Sequence, residues 1–374
     1  MKVMTILGTR PEIIRLSRVM ARLEATSVVE HILVHTGQNY DYELNQVFFD
    51  DLGVRKPDHF LECDTSSLGK VYGDILIKSE EVLRAEQPDA VLILGDTNSA
   101  LAAIMARRLH YPVFHMEAGN RSFDWRVPEE TNRRIVDHIS DVNLVYTEHA
   151  RANLMREGLH PQRVYLTGSP MFEVLEHYRS QIDASDVVER EGLEKGRYIL
   201  VSMHREENVD DVENLGALLD GLSKIGDHYD MDVVISTHPR TQKRLDEFGL
   251  GPNAVGEAKG RLRFSKPFGF HDYNKLQLDS ACVISDSGTI SEESSILGFP
   301  AITPRRWIER PEAMDAGAII VTGLDAEIML RGVNYAIETG APLDIPPEYE
   351  VANCSDRVLR IVLGTDRRLR ETQR

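Results

Sequence analysis

The sequence is poor in the features that would assign it quickly. It has three cysteines, Cys63, Cys282 and Cys354, too widely spaced for a disulfide framework or a paired metal knuckle. A reducing, cytoplasmic compartment is therefore expected. No apolar run nears the ~18 residues that a membrane-spanning helix needs. Residues 1–12, MKVMTILGTRPE, read as a strand entering a turn rather than as a signal peptide, because charge arrives too early. Basic side chains are outnumbered: 43 Lys and Arg face 60 Asp and Glu, a formal net charge of -17. That balance argues against a nucleic-acid partner, whose phosphates need a basic face. It leaves room for a nucleotide held in a local positive pocket. The turn after the first apolar run lacks GxGxxG, so a dinucleotide cofactor has little support.

What the sequence does contain is a repeated pattern: a short apolar run, a polar turn, then helical spacing. The 374 residues suffice for two domains with separate cores. Lys2 to Leu7 stops at Gly8-Thr9-Arg10-Pro11-Glu12, after which Ile13, Leu16, Val19, Met20 and Leu23 keep helical spacing. His31 to His35 stops at Thr36-Gly37-Gln38-Asn39-Tyr40-Asp41, and a capped segment, Asp64 to Leu68, opens a helix through Leu83. Val91 to Leu94 stops at Gly95-Asp96, and Val113 to Met116 stops at Glu117-Ala118-Gly119. Asn143 to Tyr146 and Arg163 to Leu166 read as further strands. The charged stretch from Glu176 to Gly196 marks the hinge region. Beyond it, strands at Tyr198–Ser202, Asp232–Ser236, Cys282–Ser285, Ala301–Ile302 and Ile319–Val321 repeat the same logic. The expectation is an α/β chain of two Rossmann-like domains, 1–172 and 173–354, with a C-terminal helix, about 355–374, packing back on the first and fraying from Arg367 onward.

Strands joined by right-handed crossovers expose their C-terminal ends on one edge of a parallel sheet. Asp96 and Glu117 should therefore face one crevice, and Pro128-Glu129-Glu130 looks like a helix start that brings a third acid close. The i,i+4 pairs Glu129–Arg133 and Glu130–Arg134 read equally as exposed helix pairs. In the second half, Asp286-Ser287-Gly288-Thr289 ends a strand, with Thr289 placed to cap the next helix; free N–H groups and the helix dipole there suit a diphosphate. Glu293, more than a turn further, could accept from ribose hydroxyls. Arg10 offers a guanidinium for a phosphate or is a surface charge. His204 and His238 stand at strand ends, and Arg305, Arg306 and Arg310 with Glu309 and Glu312 form either a solvated loop or an anion clamp. Two such domains would turn their loop-bearing edges toward a shared cleft, the default ligand site.

Taken together, GTRPEIIR, GDTNS, HMEAGNRSFD, PEETNR, GSPMFEVL, HREENV, THPRT, DSGTISEES and ERPEA resemble the non-hydrolysing UDP-N-acetylglucosamine 2-epimerase family, in order and across nearly the whole chain. The resemblance implies a glycosyltransferase-B-like fold, a homodimer and inversion at C2 of a UDP-2-acetamido sugar, with no nicotinamide or other cofactor and no metal. The C2 proton has no adjacent carbonyl to acidify it, so the family eliminates UDP, holds the 2-acetamidoglycal, and adds UDP back after protonating C2 from the other face. By this resemblance Asp96, Glu117 and Glu129 are the acid and base candidates, and His204 assists the leaving diphosphate. Arg10, Arg15, His238, Phe268, Tyr273, Ser287, Gly288, Thr289, Glu293 and Arg310 are the binding candidates. The sequence departs from the UDP-GlcNAc members at Arg15, where they usually carry lysine, and at Gln38-Asn39-Tyr40, part of their activating second site. HREE at His204–Glu207 and Phe268 also differ. HTGQNYDYELN, HREENVD and FHDYNKLQ look closer to the branch that converts UDP-2-acetamido-2,6-dideoxy-talose to UDP-N-acetyl-fucosamine, with UDP-GlcNAc next, for capsule or O-antigen synthesis. A glycosyltransferase of the same fold and a non-catalytic sugar-nucleotide sensor are the rival readings.

Overall fold

A computed structural model describes residues 1–37, 49, 51–251, 258–342 and 344–373. The Gln38-Asn39-Tyr40 turn lies outside the described residues. The chain divides into two compact units, Met1–Glu176 with Pro347–Arg374, and His177–Pro346.

The first unit is built on strands β1 (Lys2–Leu7), β2 (Glu30–His35), β3 (His59–Phe60), β4 (Ala90–Leu94), β5 (Val113–Met116), β6 (Val142–Val145) and β7 (Val164–Leu166). They form one sheet in the order β3-β2-β1-β4-β5-β6-β7, every neighbouring pair parallel. Strand β4, AVLIL, is buried at every residue, as a central strand covered on both faces must be. The helix Arg10–Glu24 starts with proline in its first turn and turns Ile13, Leu16, Val19, Met20 and Leu23 inward. The chain runs outward from β1 through β2 and β3, then returns to the other flank of β1 to lay down β4. The order reverses between β1 and β4, and such a switch point is where open α/β sheets bind their ligands.

The second unit repeats the plan with β8 (Tyr198–Met203), β9 (Asp232–Thr237), β10 (Ala258–Lys259), β11 (Leu262–Ser265), β12 (Cys282–Ser285), β13 (Ala301–Thr303) and β14 (Ile320–Val321). Their order is β10-β11-β9-β8-β12-β13-β14, with only the β10–β11 pair antiparallel. Its switch point lies between β8 and β12. Ile199, Val201, Val233, Ile235, Leu262, Phe264, Ile284 and Ile302 contribute to one core under helices that include Val212–Tyr229 and Ala326–Thr339.

Three strands escape the sequence reading. β3 and β10 have two residues each, too few to show a period, and Arg263 interrupts β11, whose burial alternates. The last segment rejoins the first unit at Pro347. The Ser169 N–H donates to Glu348 O at 2.9 Å, the Ser355 N–H donates to Glu173 Oε2 at 2.8 Å, and Arg22 pairs with Asp356 at 2.8 Å. The closing helix runs from Cys354 to Gln373. Among the described residues no helix is long and apolar enough to cross a membrane.

Candidate active site

At the switch point of the first unit, β1 ends in Gly8. A Cβ there would collide with the hydroxyls of Thr36 and Ser99, so the turn closes only on glycine. Thr9 N-caps the following helix without a side-chain cap bond. Glu12 acts instead: its Oε2 accepts from the Gly8 N–H at 3.0 Å and from the Thr9 hydroxyl at 2.8 Å. Its Oε1 accepts from the Thr97 hydroxyl at 3.1 Å. One carboxylate thus ties the β1 turn, which bears Arg10, to the β4 turn, which bears Asp96. Burial pushes the Glu12 pKa up to about 7 against the pull of these hydrogen bonds. Arg10 is half-buried.

Asp96 and Glu117 follow adjacent strand ends, since Leu94 pairs with Met116 and the Gly95 N–H donates to Met116 O at 3.0 Å. Gly95 has φ 70° and Glu117 has φ 61°, a left-handed conformation that is unfavourable for a residue with a side chain. A Cβ on Gly95 would lie 3.6 Å from Glu117 Oε2. Each acid is held by an arginine. Arg133 reaches Asp96 Oδ2 with Nε at 2.9 Å and Nη2 at 2.6 Å, and the Asn132 amide donates to Asp96 O at 3.0 Å. Arg15, buried beside the Tyr146 ring at 5.8 Å, pairs with Glu117, and the Asn120 amide donates to Glu117 Oε1 at 3.3 Å.

The helix Pro128–Ile139 supplies most of this scaffold. Beyond Asn132 and Arg133 it carries Asp137, fully buried, which accepts from the Gly119 N–H at 3.2 Å and from Arg121 Nη1 at 2.7 Å. The buried His115 ring has Nδ1 3.0 Å from Asp137 Oδ1 and donates from Nε2 to Gly95 O at 2.7 Å. Burial would push Asp137 up, but His115 and Arg121 outweigh it and hold the carboxyl below its ordinary range. Glu130 is fully buried, not part of an exposed pair: it accepts from the Ser122 N–H and hydroxyl, each at 3.1 Å, from Arg133 Nη1 at 3.2 Å and from Arg134 Nε at 2.9 Å. Glu129, one residue earlier in the first helical turn, is half-buried.

In the second unit, His204 follows β8 and Asp286 follows β12, the two strands at the switch point. Asp286 is fully buried and closes the His204 turn. It accepts from the His204 N–H at 3.0 Å, the Arg205 N–H at 3.0 Å and the Asn208 amide at 3.1 Å. Its Oδ1 lies 3.1 Å from His204 Nδ1. Burial alone would raise its pKa, but His204, the Arg205 amide and Asn208 prevail and set it at about 2. His238 N-caps the helix Pro239–Phe248, its Nδ1 accepting from the Arg240 N–H at 3.2 Å. Its ring centroid lies 5.6 Å from that of His204.

The Ser287-Gly288 turn precedes the helix Ile290–Leu297. Thr289 does not cap this helix with its side chain; the Ser287 hydroxyl, 2.9 Å from the Thr289 hydroxyl, accepts from the Thr289 N–H at 3.3 Å. Gln277 donates to Glu293 Oε2 at 2.7 Å. Tyr273 stands near Glu293, and burial and that charge push its hydroxyl above the ordinary range. Phe268 is half-buried ahead of the helix Phe270–Asp279. Arg305, Glu309, Arg310 and Glu312 are buried rather than a solvated loop; Arg306 is exposed. Arg310 donates from Nε to Gly288 O at 2.8 Å and pairs with Glu292 at 3.2 Å, and Arg305 Nη1 reaches Glu309 at 2.6 Å. A pocket of about 250 Å³, open solvent included, lies among Ser287, Gly288, Arg305, Glu309 and Arg310. Among the described residues no three His, Cys, Asp or Glu side chains are placed to hold a metal.

Sequence reasoning passed over Glu12, Asp137 and Asp286, and paired Arg133 with Glu129 rather than with Asp96. Asp286 opens the DSGT turn but carried no role, since nothing local pairs it with a histidine 82 residues away.

Two doubly wound units with their polar turns at the switch points define an α/β protein of the glycosyltransferase-B-like kind, and the comparisons with known proteins narrow this further. The family model described as UDP-N-acetylglucosamine 2-epimerase matches residues 21–363, and the chain belongs to that family. It is similar in structure to the UDP-N-acetylglucosamine 2-epimerase from Rickettsia bellii, with a TM-score of 0.90 and 46% identity, covering 100% of this chain and 98% of that one. The Methanocaldococcus jannaschii UDP-GlcNAc 2-epimerase in complex with UDP-GlcNAc and UDP gives a TM-score of 0.88 and 34% identity, covering 97% and 100%. A UDP-2,3-diacetamido-2,3-dideoxy-D-glucuronate 2-epimerase from Pseudomonas aeruginosa is 32% identical over 90% of this chain and 92% of its own length.

Proposed function

We propose that this chain is a UDP-2-acetamido-sugar 2-epimerase that inverts C2 by eliminating UDP and adding it back. The observation that carries the reading is the pair of carboxylates, Asp96 and Glu117, at adjacent strand ends of one sheet, each gripped by an arginine. Inversion needs a base on one face of C2 and an acid on the other, and Glu129 joins the two as a third candidate. Departing diphosphate needs hydrogen-bond donors and positive charge. His204, Ser287, Gly288, Thr289, Arg10 and Arg310 are assigned to it, with Glu293 on the ribose and Arg15, His238, Phe268 and Tyr273 as further contacts.

The substrate ranked first is UDP-2-acetamido-2,6-dideoxy-talose, supported by Arg15, HREE at His204 and Phe268, with UDP-GlcNAc second. The named relatives act on more than one UDP-2-acetamido sugar, which accords with a family that keeps its chemistry and varies the sugar. A cytoplasmic homodimer supplying capsule or O-antigen synthesis completes the proposal.

Incubation with each sugar in D2O is the test. Epimerisation places solvent deuterium at C2 of the recovered UDP-sugar. Unlabelled sugar with a glycosylated acceptor would indicate a transferase instead, and UDP binding with neither product would indicate a sensor.

A further inference from the structure

The Asp286 side chain is buried completely and is used up on a single task. Four groups of one turn converge on it: the His204 N–H, the Arg205 N–H, the Asn208 amide and the His204 ring at Nδ1. The sheet makes this possible. Ser285 pairs with Ser202 across β12 and β8, and the Asp286 N–H donates to Ser202 O at 3.2 Å, so the two strand ends emerge side by side. Asp286 is also the residue directly before Ser287-Gly288. A carboxylate that has given all its lone pairs to donors offers nothing to a ligand. It can, however, decide which ring nitrogen of His204 bears hydrogen.

We propose that Asp286 is the positioning residue for the leaving group. By accepting the Nδ1–H of His204 it fixes the ring's tautomer and plane, so that Nε2 is the nitrogen presented to the diphosphate that departs beside Ser287. The inference rests on the epimerase reading and on His204 serving the diphosphate. In the elimination, the C2–H pair becomes the C1=C2 bond, the C2 proton passes to a carboxylate base, and the C1–O pair leaves on the phosphate oxygen. The His204 Nε2–H hydrogen-bonds to that oxygen. In the return addition the same contact releases the oxygen as it bonds to C1. The groups around the ring are Asp286 from the β12 end, His238 from the β9 end, and Arg205 beside it in sequence. The His238 Nδ1 already accepts from the Arg240 N–H, so Asp286 is the anion that addresses Nδ1 of His204.

The test uses the full-length protein with UDP bound. In ¹⁵N-histidine spectra, with the His204 signals assigned through His204→Gln, Nδ1 is expected to carry the proton; a bare Nδ1 overturns the proposal whether or not any variant folds. Asp286→Asn should lower kcat by ~10²-fold or more while UDP affinity stays within about threefold, and should change the pH profile of kcat. Placed on His204→Gln, the same substitution should cost less than about threefold more, because the two act as one unit. An equal loss in both backgrounds marks Asp286 as a structural residue only and overturns the idea. Impaired His204→Gln beside native Asp286→Asn also sinks it while leaving His204's role standing. Native turnover by His204→Gln instead removes His204 from the mechanism, and the Asp286 proposal with it.

Discussion

The guanidinium of Arg133 meets Asp96 Oδ2 with two nitrogens, at 2.6 and 2.9 Å, from a helix 37 residues further along the chain. Two planar donors converging on one oxygen hold that oxygen in place and set its charge environment. Lysine offers one point charge on a flexible stem. Arg133→Lys should therefore lower kcat by ~10- to 10²-fold with UDP affinity unchanged. Steady-state kinetics and calorimetric UDP titration check this, and native turnover would show that the pairing is structural only.

Asp96→Asn and Glu117→Gln keep shape and volume but remove the basicity that proton transfer at C2 requires. Each should depress turnover by ~10²-fold or more and leave UDP binding nearly intact. The rate of deuterium entry at C2 is the sharper measurement, since it reports proton transfer alone. If both variants exchanged as fast as the parent, these residues would have to be dropped from the mechanism.

Gly288→Ala separates binding from folding. Gly288 does not occupy the left-handed region, and an added Cβ would meet only Arg205 Nη2, at an ordinary 3.5 Å. The methyl would instead occupy the space a diphosphate needs beside the backbone. UDP affinity should fall by ~10-fold, about 1.4 kcal/mol, with no change in melting temperature beyond a degree or two. Unaltered affinity would place the diphosphate elsewhere.

Glu12 gives a pH-dependent stability with a definite sign. Its folded pKa of about 7 exceeds the ordinary 4.5, so the folded chain holds the proton more tightly than the unfolded one. The contribution is fully present below about pH 4.5 and is lost as pH rises through 7. Above that, the ionised buried carboxylate lowers stability by about 3 kcal/mol relative to acid. Glutamine cannot ionise, and it can still accept from Gly8 and Thr9 while donating to Thr97. The stability of Glu12→Gln relative to the parent should rise between pH 5 and pH 8.5 in denaturant titrations. A difference independent of pH would mean that Glu12 does not titrate in this range.

Much of the fold was legible because the signals are local. Val91–Leu94, Val113–Met116 and Cys282–Ser285 are apolar runs bounded by polar turns, and the strands fall there within a residue. β3 and β10 were hidden because two residues have no period, and β11 because a charged residue, Arg263, interrupts a strand of only four residues. Glu130 illustrates a different blindness: its spacing to Arg134 is that of a solvated helix pair, yet the helix turns it inward onto Ser122. Burial depends on which face the helix packs, and spacing alone does not specify it.

The order of residues by itself determined the rhythm of run, turn and helix, hence two parallel sheets, and the polar turns at the strand ends. It also carried the family likeness. Only the tertiary structure decided which charges meet: Arg133 with Asp96, Arg15 with Glu117, Asp286 with His204. Those partners are set by strand order, β4 beside β1 and β12 beside β8, and by the helix laid against them. Strand order is fixed by packing over the whole sheet, whereas a hydrophobic period reports only the neighbours within a turn or a pleat.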